Sequence, residues 1–338
     1  MRILIDIPLH EPGLAALNRV GGLDMDRLES ADDEPPARIL DVSRIRDAEV
    51  LLCQYPPINL SEMRALRWIQ VASTGYDQLI GLGLAERGIR ATNSRGCCDV
   101  QIGEWNLGMM INLVRDVRRL MTNQDAAVWD RKAAPQGEIR GRTVGFWGYG
   151  GFARETARLA RQHDMRVHAY TRSGARPRND TYVVAGTGDP GGVLPHRVFS
   201  AGEEDAFLGG LDFLVISVPL TRATEGIIGE RELRALPRTA YVLNPARGRI
   251  IQEAALIRAL RENWIAGAAL DTHHHYPMPP DHPLWGLRNV ILTPHVAAGG
   301  RTPRFVERFW DLFAQNVGRY SRGEALLNEL TPAELSGQ

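Results

Sequence analysis

Two residues in the C-terminal half of the chain have side chains suited to the chemistry of a small acid. Arg247 is the arginine of Asn-Pro-Ala-Arg-Gly at residues 244–248, and His295 ends the triplet Thr-Pro-His; each motif follows an apolar run. A fixed guanidinium can bind a carboxylate through two parallel hydrogen bonds, and an imidazole can exchange a proton near neutral pH. Alone, Arg247 could equally form a surface salt bridge, and His295 could be structural. Together they predict a site that binds an acid and moves a proton.

A glycine-rich turn lies between an apolar run at residues 143–147 and a helical pattern at residues 152–163. Gly148 and Gly150 allow a tight turn, and a side chain there would block a pyrophosphate held by the N–H groups at the start of the helix. Ala153 replaces a third glycine, which this fingerprint permits. Glycines also close ordinary turns, but the strand before and the helix after favour a dinucleotide site.

The residues after the second strand of this pattern indicate which dinucleotide is bound. An enzyme specific for NAD is expected to present Asp or Glu here to the ribose 2′-hydroxyl. This chain has Thr171, Arg172 and Ser173 instead, and no carboxylate among them. An arginine favours a 2′-phosphate, so we predict NADP as the preferred cofactor, with NAD as second choice. The alternative is an arginine that is merely solvated.

Apolar runs of strand length predict the elements that position these motifs. Between residues 143 and 295, six such runs alternate with helical stretches, which is typical of a doubly wound α/β sheet whose strands are buried on both faces. Ligands bind beyond the carboxyl ends of such strands, so the motifs would share one edge. Residues 173–208, rich in Gly, Pro and Arg, are predicted to form an extended surface loop. The runs are residues 143–147, 166–170, 211–218, 239–243, 265–270 and 290–292.

The N-terminal third shows the same alternation, and a long helix is predicted over residues 104–121. Residues 302–320 form a further predicted helix, which we expect to pack back on the N-terminal part. The N-terminal runs are residues 3–7, 48–52, 67–72 and 89–92. The apolar stripe of the first helix contains Leu107, Met110, Ile111, Val114, Val117 and Met121, and that of the second contains Phe305, Phe309, Leu312, Phe313 and Val317.

Composition excludes several classes of function. The 338 residues are 44% hydrophobic and 24% charged, enough for two soluble domains, and 40 basic residues balance 40 acidic ones. We therefore expect neither nucleic acid nor a membrane as partner, and no run is long and apolar enough to span a bilayer. Three cysteines cannot build a disulfide framework, which fits the cytoplasm. Lys132 is the only lysine, and we attribute the arginine bias to a GC-rich bacterial genome.

Three consecutive histidines, His273 to His275, raise the question of a metal. Adjacent residues in an extended chain point to opposite sides, so at most His273 and His275 could share an ion. No cysteine or carboxylate stands near them in the sequence at a spacing typical of metal ligands. We therefore predict no metal site.

In the order of its motifs, the chain resembles the D-isomer-specific 2-hydroxyacid dehydrogenases. The resemblance runs from the first strand to residues 316–328, and chance agreement across so many ordered motifs is negligible. It implies a Rossmann cofactor domain, residues 104–297, inserted in a flavodoxin-like substrate domain, residues 1–103 plus 298–338. Both would be doubly wound parallel sheets, and homodimers would form largely through the cofactor domain. The motifs are Thr74-Gly75-Tyr76-Asp77, Glu104, the glycine turn, Val218-Pro219-Leu220-Thr221 with Thr224, residues 244–248, Asp271 and residues 293–295.

The resemblance also implies roles for individual residues. Arg247 would bind the carboxylate and keto oxygen of the substrate, and His295 would exchange the proton. Backbone N–H groups at Thr74 and Gly75 would hold the other side of the carboxylate, and Tyr55 would line the pocket. The implied cofactor-binding residues are Gly148, Gly150, Gly151, Phe152, Ala153, Thr171, Arg172, Ser173, Val218, Pro219, Thr224, Ala246 and Asp271.

Two positions depart from the family pattern. The missing cofactor acid at Thr171 resembles the NADP-linked glyoxylate and hydroxypyruvate reductases of the family. The glutamate that family members place five residues after the aspartate is Tyr276 here. The related formate dehydrogenases carry a neutral glutamine at that position, so a charge is not indispensable. We expect Tyr276 to be the catalytic neighbour of His295.

These observations predict a cytoplasmic reductase that transfers a hydride from NAD(P)H to C2 of a small 2-keto acid, or of a phosphonate analogue, giving a D-2-hydroxy acid. One alternative is a formate- or phosphite-type oxidoreductase, which only the missing glutamate suggests. Another is a dinucleotide-sensing interaction protein that kept the fold. The presence of both Arg247 and His295 weighs against that last alternative.

Overall fold

The structure, a computed structural model, describes residues 1–28, 38–132, 136–299 and 302–337. The chain divides into two compact units. Unit 1 contains Met1–Cys98, Asp180–Val184 and Gly299–Gln338, and unit 2 contains Asp99–Asn179 and Ala185–Ala298. Within the described residues, no helix is both long and apolar enough to cross a membrane.

Unit 1 is built on a parallel sheet of five strands in the order β2-β1-β3-β4-β5, which is the flavodoxin-like order. The strand β2, with the sequence Asp-Met-Asp-Arg, was missed because an edge strand with exposed charged residues lacks an apolar run. The strands are β1 Arg2–Asp6, β2 Asp24–Arg27, β3 Val50–Cys53, β4 Trp68–Val71 and β5 Arg90–Thr92.

The long helix Pro303–Ser321 of unit 1 packs on the N-terminal part of the unit, as predicted. Thr302 caps this helix by accepting a hydrogen bond from the N–H of Phe305, and the five predicted stripe residues are buried. The ring of Phe313 lies 5.5 Å from that of Trp68, measured between centroids. The helices of unit 1 are α1 Glu11–Asn18, α2 Val42–Ile45, α9 Pro303–Ser321 and α10 Pro332–Leu335, with short 3-10 turns at Leu60–Glu62 and Asp77–Leu79.

Unit 2 is built on a parallel sheet of seven strands in the order β12-β11-β10-β9-β6-β7-β8. Chain order reverses between β6 and β9, which is the switch point where ligands bind in such sheets. The strands are β6 Thr143–Trp147, β7 Arg166–Tyr170, β8 Arg197–Phe199, β9 Phe213–Ile216, β10 Tyr241–Asn244, β11 Gly267–Leu270 and β12 Val290–Leu292.

The prediction of six strands in this unit was one too few. The strand β8 and a short helix lie inside residues 173–208, which were predicted to be a surface loop. The strand is only three residues long, it lies at the edge of the sheet, and Phe199 is its one buried residue. A single buried side chain is too weak a pattern to predict a strand.

The predicted helix over residues 104–121 is two helices. The first begins earlier, at Asp99, and the chain breaks at Asp116, whose φ of 47° lies in the left-handed region that a right-handed helix cannot contain. No residue of the second helix is buried, and Met121 of the predicted stripe is 61% exposed. The helices of unit 2 are α3 Asp99–Val114, α4 Val117–Asp125, α5 Gly151–Gln162, α6 Glu204–Leu208, α7 Glu230–Ala235 and α8 Glu253–Arg261.

Helices cover both faces of the seven-stranded sheet, which is the predicted doubly wound arrangement. Alternate strand residues point to opposite faces, so Phe146 and Trp147 enter different cores. One core adds side chains from α3 and α5, and the other adds side chains from α6, α7 and α8. The carboxyl ends of β6, β9, β10, β11 and β12 therefore meet at one rigid edge.

Candidate active site

The glycine turn connects β6 to α5 and can only be built with glycine at its first position. Gly148 has a φ of 96°, and a Cβ there would lie 2.7 Å from Cγ1 of Val218 and 2.8 Å from the carbonyl oxygen of Ser217. The hydroxyl of Ser217 donates a 2.6 Å hydrogen bond to the carbonyl of Gly148. The turn is therefore held against the end of β9.

Gly150 is the residue that precedes the first turn of α5, and the space beside it is open. A Cβ at Gly150 would meet only the carbonyl oxygen of Ser217, at 3.9 Å, within 4 Å. At Gly151 the equivalent space is filled by the carboxylate of Asp99. Ala153 is fully buried within the core under α5. A helix N-terminus of this kind can bind a phosphate group, and contact of Gly150, Gly151 and Ala153 with a dinucleotide stays a prediction.

The segment after β7 is held by β8. The N–H of Thr171 donates to the carbonyl of Phe199 at 3.0 Å, and the N–H of Ser173 donates to Oγ1 of Thr171 at 3.4 Å. Arg172 is exposed and forms no ion pair with a residue that the structure describes. The hydroxyl of Tyr170 donates to Glu204 at 2.6 Å, and burial together with that carboxylate raises the pKa of Tyr170 to about 12.

Four further predicted cofactor residues lie in turns at the same edge: Val218, Pro219, Thr224 and Ala246. Thr224 closes the turn after β9, because its hydroxyl donates to the carbonyl of Pro219 at 2.6 Å and accepts from the N–H of Thr221 at 2.8 Å. Val218 lies against Gly148, and Ala246 is buried in the turn after β10. Their contact with a dinucleotide stays a prediction.

Arg247 lies in a turn that the strand end itself fixes. The side chain of Asn244 accepts a hydrogen bond from the N–H of Ala246 at 3.1 Å and donates to the carbonyl of Arg247 at 2.9 Å. Gly248 is required because a Cβ there would overlap the backbone of His273. The guanidinium of Arg247 donates to the carbonyl of Ala246 at 2.9 Å, and this bond restricts the orientation of the side chain.

His295 lies in a turn that a buried carboxylate organises. Asp271, directly after β11, accepts hydrogen bonds from the hydroxyl of Thr293 at 2.6 Å and from the N–H groups of Val296 at 2.9 Å and Ala297 at 3.0 Å. These bonds enclose His295, which has a φ of 58°. A left-handed histidine is uncommon and persists only where neighbouring contacts hold it. The role of Asp271 in binding a cofactor stays a prediction.

Tyr276 brings Arg247 and His295 into one neighbourhood. Its ring lies 5.6 Å from the ring of His295, and its hydroxyl accepts a 3.2 Å hydrogen bond from the N–H of His273. Partial burial raises the pKa of Tyr276, while that hydrogen bond and the positive charge of Arg247 act to lower it. A cation and an imidazole thus share a neighbour beyond the ends of β10 and β12.

The three consecutive histidines point to three different partners. His273 contacts the carbonyl of Thr293 at 2.8 Å through Nε2, and His274 contacts the carbonyl of Ile251 at 2.9 Å. His275 places Nε2 at 3.6 Å from a carboxylate oxygen of Glu253. The sequence revealed no carboxylate near them, because Glu253 is distant in the chain. It begins the helix α8, and the strand β11 lies between that helix and the histidines.

Glu253, His275 and His282 have ligand-type atoms within 4.8 Å of one another. His282 accepts a hydrogen bond at Nδ1 from the N–H of Leu284 at 3.4 Å, so its proton belongs on Nε2, which lies 3.1 Å from Glu253. An ion on Nε2 would instead require a proton on Nδ1, facing that N–H. We therefore interpret the cluster as a hydrogen bond between His282 and Glu253, with His275 beside it.

The substrate-binding residues predicted in unit 1 follow two neighbouring strands, β3 and β4. The carbonyl of Thr74 accepts a 2.7 Å hydrogen bond from the side chain of Asn93, and the carbonyl of Gly75 accepts one of 2.7 Å from Ser73. Within the described ranges, no acceptor is found for the N–H groups of Thr74 and Gly75. Tyr55 is partly exposed beyond β3.

The chain is similar to a set of known dehydrogenases. Residues 107–297 match the family model described as "D-isomer specific 2-hydroxyacid dehydrogenase, NAD binding domain". A glyoxylate reductase of Thermofilum pendens is 31% identical over 332 residues, which cover 95% of this chain and 92% of that protein. A D-3-phosphoglycerate dehydrogenase of Methanocaldococcus jannaschii is 28% identical over 97% of this chain and 59% of its own length. Both relatives are archaeal, so they do not support the expected bacterial source.

Solved structures show the same similarity over the full chain. The structure of a protein described as an NADPH-dependent glyoxylate/hydroxypyruvate reductase from Sinorhizobium meliloti has a TM-score of 0.73 and 25% identity, and covers 98% of this chain and 97% of that one. The expectations of two parallel α/β sheets and a nicotinamide dinucleotide cofactor are confirmed. The chain belongs to the D-isomer specific 2-hydroxyacid dehydrogenase family and is an NAD(P)-dependent oxidoreductase.

Proposed function

We propose that the protein reduces a small 2-keto acid, or a phosphonate analogue, to the D-2-hydroxy acid, with NADPH preferred over NADH. One observation carries the proposal: Tyr276 packs against the ring of His295 and lies in the field of Arg247. That arrangement places a cation for a carboxylate close to an imidazole that can exchange a proton. Both groups follow strands of the dinucleotide-binding sheet.

The proposed reaction divides the work between two side chains. Arg247 binds the carboxylate of the acid and stabilises the negative charge that develops on the keto oxygen. His295, in its protonated form, donates its proton to that oxygen and is left neutral. A bound nicotinamide dinucleotide would supply the hydride to C2. The turn organised by Asp271 holds the imidazole in place during the transfer.

In unit 1, we propose that the N–H groups of Thr74 and Gly75 bind a carboxylate. Their carbonyl oxygens already accept hydrogen bonds from Asn93 and Ser73, so the loop is held rigidly while those N–H groups have no acceptor among the described residues. Two neighbouring backbone donors of this kind bind an anion without a net charge of their own. Tyr55, beyond the adjacent strand, is the proposed side wall for the substrate.

Three features of the cofactor segment support the NADPH preference. No carboxylate stands at residues 171–173, Arg172 has no ion-pair partner among the described residues, and Thr171 is fixed by its bond to Phe199. The Sinorhizobium meliloti protein is itself described as NADPH-dependent. An exposed arginine on a fixed segment is available for a 2′-phosphate.

A homodimer formed through unit 2 is part of the proposal. The helix α4 has no buried residue, and the segment that follows it presents Trp129 with 89% of its surface exposed. Leu120, Met121 and Val128 are exposed beside it in the sequence. Several exposed apolar side chains within ten residues favour an interface at this segment, and light scattering would measure the resulting mass. We also propose the cytoplasm as location, since none of the three cysteines forms a disulfide.

The experiment that tests the proposed activity is consumption of NADPH against a panel of acids. Glyoxylate, hydroxypyruvate, phenylpyruvate and phosphonopyruvate would be assayed in parallel with the same preparation. Turnover of one or more is expected, with the D-isomer as product. No turnover of any acid by a preparation that binds NADPH would refute the proposal and favour a protein that only senses the dinucleotide.

A further inference from the structure

A buried polar network joins the glycine turn to the segment that follows β7. Tyr149, between the two glycines of the turn, is buried, and its hydroxyl donates to Oδ2 of Asp189 at 2.8 Å. Arg154, in the first turns of α5, is 5% exposed, and its guanidinium donates to the carbonyls of Tyr149 at 3.2 Å and Arg176 at 2.6 Å and to that of Asp189.

Asp189 also closes its own segment. It is 4% exposed and accepts hydrogen bonds from the N–H groups of Val193 and Leu194, both at 3.0 Å. The chain on either side of it folds back on itself: the N–H of Arg178 donates to the carbonyl of Pro190 at 3.1 Å. This pairing holds residues 175–178 and 189–194 together as one piece, and that piece rests on the glycine turn.

A network of this kind is a poor source of stability on its own. Burial disfavours the charge of Arg154 and lowers its pKa, and the positive charge of Arg178 lowers it further. Taking an arginine and an aspartate out of water costs free energy that apolar packing at the same place would not cost. What a hydrogen-bonded network supplies is a fixed geometry, because each bond is good only within a limited range of distance and angle.

The geometry fixed here is that of two dinucleotide-binding elements. The guanidinium of Arg154 binds one carbonyl in the glycine turn and another at Arg176, four residues after Arg172 in the chain. Because the guanidinium is planar and rigid, it sets the distance between the turn and the segment that carries Arg172. The two elements would hold the pyrophosphate and the 2′-phosphate, respectively.

We propose that Arg154 and Asp189 position the dinucleotide without touching it. They act through Tyr149 and through the carbonyl of Arg176. They hold the N–H groups at the start of α5, and the segment of Arg172, at the spacing the dinucleotide requires. The part of the proposal that concerns the segment of Arg172 and the 2′-phosphate rests on the proposed function. The part that concerns the start of α5 does not, because the pyrophosphate is common to NADH and NADPH.

The decisive variant is Tyr149→Phe, which removes one hydroxyl and keeps the ring and its packing. Dissociation constants for NADPH and NADH would be measured by fluorescence titration, together with kcat at saturating dinucleotide and the thermal unfolding midpoint. Asp189→Asn and Arg154→Lys test the other two members of the network. The matched control is Asp212→Asn, since Asp212 accepts from the N–H of Thr143 at 2.8 Å, at the opposite end of β6.

We expect Tyr149→Phe to raise both dissociation constants about tenfold, because it frees the turn that both dinucleotides contact. The value of kcat at saturating dinucleotide should change less than about twofold, since the reacting groups are untouched. Asp189→Asn and Arg154→Lys should weaken NADPH more than NADH, because they also release the segment of Arg172. The control should lower the unfolding midpoint and leave both dissociation constants unchanged.

Unchanged dissociation constants in Tyr149→Phe, with a midpoint lowered as in the control, would overturn the proposal and leave the network a purely structural role. Failure of Asp189→Asn to fold would not protect the proposal, because Tyr149→Phe tests the bond to Asp189 by itself. Unchanged dissociation constants in Arg154→Lys would likewise remove Arg154 from the proposal. The binding measurement needs no keto acid. A wild-type protein that binds dinucleotide but reduces no acid would therefore contradict the proposed function and leave this test intact.

Discussion

The ring of Tyr276 lies against the ring of His295, with centroids 5.6 Å apart and planes inclined at 58°. Family members with glutamate at the position of Tyr276 would place a negative charge beside the histidine. Tyrosine provides a neutral ring and a hydroxyl that accepts from the N–H of His273 at 3.2 Å. Tyr276 therefore contacts His295 without placing a negative charge beside it. The missing charge should affect the pH range in which the protein reduces its substrate.

Tyr276→Glu should move the alkaline limb of kcat/KM for keto-acid reduction to higher pH. Reduction needs protonated His295, so the rate falls as pH rises through the pKa of that imidazole. A carboxylate beside an imidazole favours the protonated form, and each unit of displacement corresponds to about 1.4 kcal/mol. The measurement is a pH profile of wild type and variant. A limb that stays in place would show that residue 276 does not act on His295 in the working enzyme.

Tyr276→Phe should lower kcat about fivefold without moving that limb. The variant keeps the ring against His295 and removes the oxygen that accepts from the N–H of His273, which loosens the turn by about one hydrogen bond. Because no charge is added or removed, the protonation of His295 should be unaffected. A pH profile beside that of Tyr276→Glu separates orientation from charge, and a shifted limb in the phenylalanine variant would contradict this account.

Arg247→Lys should raise KM for the keto acid and lower kcat. Lysine keeps the positive charge and loses the planar fork that binds a carboxylate through two parallel hydrogen bonds. The dissociation constant for NADPH should stay within about twofold of wild type. Arg249→Lys is the matched control, because Arg249 is exposed and pairs with Glu225. A collapse of dinucleotide affinity in Arg247→Lys would make Arg247 a cofactor or folding residue instead.

Arg172→Ala should remove most of the preference for NADPH. A charge-assisted contact between arginine and phosphate contributes about 1.5–3 kcal/mol, so wild type should prefer NADPH about tenfold or more by KM. Arg166→Ala is the control, since Arg166 is exposed at the opposite end of β7. Equal KM values for the two dinucleotides in the wild type would remove the basis of this prediction.

The fold was predictable where apolar runs are long and buried on both faces, as in β6 and β9. It was not predictable at β2, whose charged residues give no apolar run, or at β8, where only Phe199 is buried. The break between α3 and α4 was missed because it falls at Asp116, which adopts a left-handed conformation, and no Gly or Pro marks the position in the sequence.

The positions of Arg247, His295 and Tyr276 after successive strands were readable in the sequence, because parallel strands bring their carboxyl ends together. The supporting residues were not. Asp189 lies in a Gly- and Pro-rich stretch with no periodic pattern, and Glu253 is 29 residues from His282, the partner it contacts. Such contacts depend on how distant parts of the chain pack, so they cannot be predicted from the spacing of nearby residues.

The role of His295 as proton donor is tested by measuring reduction and dinucleotide binding in His295→Gln. Glutamine preserves much of the size of the side chain and cannot donate a proton as an acid, and general acid catalysis contributes about a hundredfold or more. We predict that kcat for NADPH-dependent reduction of the best keto acid of the panel falls by about that factor, while the dissociation constant for NADPH is unchanged. A variant that reduces the acid at the wild-type rate would show that a group other than His295 supplies the proton.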